Sequence, residues 1–189
     1  MIDQVCEEIL ISSGLHKEAY RRYGLSAAVG NSYIARFRSV AKRYPKKDKP
    51  QILSDLIATT PGEEGKWFAT AKELGFYDLA LELANRSPCD PKTLTRAARD
   101  YLDSEPAFAL GSAIAALRWL SEGWGYEVTG ADVVEAYDRA MDAAARLNMA
   151  DDANERIRQL GGASENAAAT FVWKAVQGRM RAAVAGIPG

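Results

Sequence analysis

Several groups of residues have types and spacings that bear on chemistry, beginning with Pro61-Gly62-Glu63-Glu64-Gly65-Lys66-Trp67. Its Gly-x-x-Gly-Lys string could aim backbone amides at an anion, but it lacks the Gly-x-x-x-x-Gly-Lys-Ser/Thr spacing of a phosphate loop. Trp67 stands where that loop needs a magnesium-binding hydroxyl, and Glu63 and Glu64 would repel phosphate. The string therefore reads as a helix start. Gly62 and Gly65 still stand out, because each would cost about 1 kcal/mol inside a helix. A close backbone, or a ligand over the helix N-terminus, would account for them. Any enzymatic pocket is expected at 62–67. Glu63, Glu64, Glu73, Asp78 and Glu82 could supply an acid–base pair, but no spacing selects one. His16 is the only histidine, and with Cys6 and Cys89 it cannot complete a four-ligand zinc set. No serine lies in a nucleophile elbow. Catalysis is the third-ranked reading, and neither a cofactor nor a metal is expected.

A second group is basic. Arg36, Lys42, Arg43, Lys46 and Lys47 interleave with Tyr33, Phe37 and Tyr44, and such mixtures hold phosphates and stack on bases. Residues 17–49 carry ten basic and two acidic side chains, +8, so the rest of a chain of net charge −1 carries −9. The aromatics recur at helical spacing and so point to a core, and cations late in a helix complement its dipole. Nucleic-acid binding through 36–49 ranks second. The third group is aromatic: Trp119, Trp124 and Tyr126 in Arg118-Trp119-Leu120-Ser121-Glu122-Gly123-Trp124-Gly125-Tyr126. Trp119 follows a helical stripe. Trp124, between glycines, is either a partner anchor or a plug folded onto the helices, with the plug favoured.

The elements that must position these residues are helices. Gly14-Leu15-His16-Lys17-Glu18-Ala19, Gly75-Phe76-Tyr77-Asp78-Leu79-Ala80 and Asn148-Met149-Ala150-Asp151-Asp152-Ala153 read as one recurring corner. Gly or Asn takes the left-handed position that stops a helix, and the later Ala lets the next helix pack closely. Helix signals run over Ile2–Ser13, His16–Tyr23 and Tyr33–Tyr44, the last capped by Ser32 and stopped by Pro45. A short helix starts at Pro50, and Thr60-Pro61-Gly62-Glu63 reads as a capping box opening Pro61–Leu74. Tyr77–Asn85 follows, then helices from Pro91 to about Asp103 and Pro106 to about Ser121. Thr129 caps a helix to Leu147, Met149–Leu160 pairs with it, and Gly161-Gly162 breaks the chain before Ser164 caps the last helix. That gives about eleven helices and no strand: an all-α chain of 189 residues in one domain, 1–189.

Trp67, Gly75, Tyr77, Ala80 and Pro88 resemble a tetratricopeptide-type hairpin, with an aromatic in the first helix, Gly-x-Tyr-x-x-Ala at the second and Pro after it. The resemblance implies stacked antiparallel hairpins in a right-handed α-α superhelix, whose concave face binds an extended peptide or a partner helix. The corners recur 61 and 73 residues apart, so the superhelix is expected to be irregular. A non-repeating helical bundle is the alternative.

The first-ranked function is a non-catalytic protein-interaction or scaffold module, expected to be a segment of a longer bacterial protein. A protein or peptide partner is expected rather than a membrane, since the longest apolar run, 113–120, is interrupted by Arg118 and is too short to span a bilayer. The absence of a secretory pattern places the expectation in the cytoplasm. Cys6 and Cys89 read as reduced thiols, with a mutual disulfide as the alternative. The candidate partner-binding residues are Arg36, Lys42, Arg43, Lys46, Lys47, Gly62, Gly65, Trp124 and Tyr126.

Overall fold

The computed structural model describes residues 2–162 and 166–184. Among them are eleven α-helices and no strand, so the chain is all-α. The helices are α1 (Ile2–Ser12), α2 (His16–Ala19), α3 (Tyr33–Arg43), α4 (Lys49–Ala58), α5 (Phe68–Glu73) and α6 (Tyr77–Arg86). They continue with α7 (Pro91–Asp100), α8 (Pro106–Ser121), α9 (Gly130–Leu147), α10 (Ala150–Gly162) and α11 (Ala167–Val184). A π-helical turn, Tyr20–Gly24, extends α2, and a 3-10 turn, Glu64–Trp67, leads into α5.

Local chemistry sets most boundaries. Gly14 and Gly75 both adopt φ +77° and Asn148 adopts φ +56°, so all three corners are left-handed helix stops. The Ser32 hydroxyl accepts the Ala35 amide at 3.2 Å, and the Asp90 carboxylate accepts that of Thr93 at 2.9 Å. At α9 the capping box closes both ways: Thr129 donates its amide to Asp132 at 2.7 Å and accepts the Asp132 amide at 3.4 Å.

Two expectations are corrected. Thr60 caps nothing: its hydroxyl donates to the Ile57 carbonyl at 3.2 Å and accepts the Trp67 indole N–H at 2.8 Å. The chain instead turns at Gly62, at φ +84°, and helical geometry begins at Glu64. Gly161 and Gly162 do not break the chain but end α10. A Cβ on Gly161 would lie 2.8 Å from the Trp173 indole, so the glycine lets that ring rest on the helix backbone. Ser164 lies outside the described residues, and within them the Asn166 side chain accepts the Ala169 amide at 2.7 Å.

The core centres on α8, which is buried around nearly its whole circumference and is packed by α6, α7, α9, α10 and α11. A helix that is apolar all round belongs in an interior. Its Ala109, Ala113 and Ala116, with Ala136, Ala140 and Ala144 of α9, are small buried residues that let the two backbones approach. Helix α11 packs on both α8 and α9.

The N-terminal helices are held differently. Helix α1 packs on α2 and the π-helical turn, and its Glu7 is 1% exposed. Tyr44 donates its hydroxyl to Glu7 Oε1 at 2.6 Å, Arg43 pairs with Glu7 Oε2, and Arg43 also donates to the Ala27 carbonyl at 3.2 Å. Ile2, Val5 and Ile9 of α1 face outward.

Candidate partner-binding site

The glycines at 62–67 have structural explanations. Gly62 occupies a left-handed turn, and its amide donates to Glu64 Oε1 at 3.1 Å. Gly65 donates its amide to the Ser87 hydroxyl at 2.8 Å, and an added Cβ would meet the carbonyl oxygens of Pro88 and Ser87 at 2.4 and 2.5 Å. The neighbour over Gly65 is thus the 87–88 backbone. Glu63 is paired with Lys66 at 2.6 Å and accepts the Tyr33 hydroxyl at 3.1 Å, and both contacts hold its carboxyl below the usual range. The Glu64 carboxyl is lowered by its own amide and that of Gly62. These shifts run opposite to those of a general acid, whose pKa is raised.

The basic stretch divides. Arg43 is turned inward to Glu7. Lys47 lies 3.6 Å from Asp55 and 4.1 Å from the Tyr20 ring centroid, where Tyr20 also donates to Asp55 at 2.6 Å. Arg36 lies 5.8 Å from the ring centroid of the buried Trp67. Lys42 and Lys46 remain exposed without an internal partner. Tyr33, Phe37 and Tyr44 pack in or against the core, as their spacing indicates.

The aromatic group lies on the loop between α8 and α9. Trp119 is buried and donates its indole N–H to the Ala84 carbonyl of α6 at 2.7 Å. Trp124 meets it edge-on, with centroids 6.4 Å apart at 86°, and its amide caps α8 by donating to the Trp119 carbonyl at 2.9 Å. Half of Trp124 is nevertheless exposed, and Tyr126 is 77% exposed. The loop backbone takes positive φ at Gly123 (+86°), Gly125 (+119°) and Glu127 (+48°). A left-handed Glu costs about 1–2 kcal/mol, and such local strain concentrates at functional segments.

Beside this loop lies a cleft of about 220 Å³ between α7 and α9, with Gly125 and Val128 in its wall. One side carries Lys92, Arg96 and Arg99, spaced i, i+4, i+7 along α7, and the other carries Asp132 and Glu135 of α9. Lys92 approaches Asp132 only to 3.8 Å, and Arg99 pairs with its neighbour Asp100. Asp132 is held by the capping box, whose Thr129 hydroxyl is the main cause of its lowered carboxyl pKa. The sequence reading missed this cleft. The spacing of the α7 cations was visible, but their meeting with α9 is tertiary.

No helix among the described residues is long and apolar enough to cross a membrane, and among them no His/Cys/Asp/Glu cluster could hold a metal ion. Cys6 and Cys89 are free thiols. No protein-family model, curated protein or solved structure matches the chain.

Proposed function

We propose that this chain is a non-catalytic protein-interaction module that docks a partner segment on the 123–128 loop and the adjoining cleft. The observation that carries this reading is the pair of exposed aromatics, Trp124 and Tyr126, on a loop that turns through positive φ at Gly123 and Gly125. Large aromatics with few rotatable bonds lose little side-chain entropy on docking and dominate interface energetics. Arg43 and Lys47, already engaged with Glu7 and Asp55, weigh against a phosphate-binding face on α3.

Panning a random peptide library against the folded protein tests the reading. Wild type is expected to enrich a consensus, and Trp124→Ala and Tyr126→Ala to lose it while their unfolding free energies stay within about 1 kcal/mol of wild type. A large stability loss in Trp124→Ala with enrichment intact would make Trp124 a plug and overturn the proposal.

A further inference from the structure

We infer that the α7–α9 cleft receives an acidic side chain of an extended partner segment, with Arg96 as its counter-charge. This rests on the docking reading above and names the chemistry of the partner. Two polar groups at the cleft have no counterpart within the protein. Thr95 lines the cleft, and its hydroxyl, bonded to no group of the folded chain, is open to the solvent there. Arg96, on the same helix, has no carboxylate or carbonyl partner. Both groups are therefore free to bond a ligand that enters the cleft.

The balance of donors and acceptors sets the occupant's charge. Arg96 has all its N–H donors free, and Lys92 is only loosely engaged at 3.8 Å. On the acceptor side one oxygen of Asp132 is held by Thr129 in the capping box, its other oxygen faces Lys92 at 3.8 Å, and Glu135 is exposed without a partner. Three cations thus face two carboxylates across the cleft, and a carboxylate from a partner meets Arg96 in the planar geometry that a guanidinium binds best. Glu135 is left to accept N–H groups of the segment's own backbone. The body outside 17–49 carries −9, so this cationic stripe is a local exception that steers an acidic segment to one place.

Size and sign disfavour the other acceptor-rich ligand, a phosphate chain. Small-molecule pockets run to about 300–1,000 Å³, whereas this cleft of about 220 Å³ suits a single side chain. Asp132 and Glu135 would also repel a polyanion. The exposed Trp124 and Tyr126, flanking Gly125 in the chain, offer apolar contact to residues beside the acidic one.

The test takes the peptides enriched on wild type and measures their affinities for wild type and Arg96→Gln. Arg96 is exposed and unpaired, so Arg96→Gln is expected to fold normally. We expect a recurrent Asp or Glu, a loss of about tenfold or more when it becomes Asn or Gln, and the same loss in Arg96→Gln. In Arg96→Gln the acidic and amide peptides should bind equally, since both have lost the same pair. Enrichment without an acidic position, or an acidic preference that survives Arg96→Gln, would overturn the inference and leave the docking reading standing. No enrichment at all would overturn both. Binding of a random single-stranded oligonucleotide that disappears in Arg96→Gln, without acidic peptide selection, would assign the cleft to phosphate and overturn the inference.

Discussion

Gly65 donates its amide to Ser87 at 2.8 Å, and that bond draws the α6–α7 connection so near that a Cβ would stand 2.4 Å from the Pro88 carbonyl oxygen. The contact is with backbone, which cannot rotate away. Gly65→Ala is expected to destabilise the protein by about 2–3 kcal/mol through overpacking. Gly62→Ala meets no neighbour and should cost only the left-handed penalty, about 1–2 kcal/mol. Urea denaturation of the two variants checks the order, and equal losses would contradict the contact at Gly65.

Glu7 is the buried centre of a three-residue network with Arg43 and Tyr44. Glu7→Ala leaves a partly buried guanidinium and a buried hydroxyl without their acceptor, which should cost about 3 kcal/mol. Glu7→Gln keeps an acceptor for Tyr44 and should cost less. Amide exchange in Glu7→Ala should accelerate over α1 far more than over α8, because α1 has few other attachments.

Burial pushes the Cys89 thiol up to about 12 from its ordinary 9.0, with the Asp90 charge adding to the shift. Burial likewise raises the Tyr20 and Tyr44 hydroxyls, each beside a carboxylate. These acids hold their protons more tightly when folded, so between the unfolded and folded values the unfolded chain binds fewer protons. Stability is therefore complete below pH 9.0 and falls as the pH rises toward 12. The urea midpoint should drop between about pH 8 and about pH 10.5. At the lower pH iodoacetamide should modify the partly exposed Cys6 and spare Cys89 until urea is added.

Two threonines of similar sequence context should respond differently. Thr129→Ala removes a helix cap and should cost about 1 kcal/mol, with fraying confined to the start of α9. Thr60→Val leaves the buried Trp67 indole without its acceptor, which should cost about 1–3 kcal/mol and shift tryptophan emission, while Thr60→Ser should restore both. If Thr60→Val behaves as a cap loss, with no change at Trp67, the assignment fails.

That contrast shows how far the sequence is legible. Gly14, Gly75 and Asn148 announce helix ends because a left-handed stop is a local backbone requirement, and Ser32, Asp90 and Thr129 announce starts because a cap reaches only three residues ahead. Thr60 has the same local signature, but its hydroxyl is drawn to Trp67 across a turn that Gly62 creates. The run 36–49 looks like one cationic face until Glu7, 36 positions before Arg43, takes that side chain inward. For the cleft, the α7 spacing was readable, whereas its closure by α9 and by a loop with three left-handed residues depends on how α8 packs between them.

The edge-to-face pair of Trp119 and Trp124 gives the protein an optical gauge of its own loop. Trp119 is dry and fixed to α6, whereas Trp124 is half in water, so their emission energies differ by environment alone. A segment settling on the loop would dry the second indole while leaving the first unchanged. Occupancy is then readable as a blue shift in the unlabelled chain.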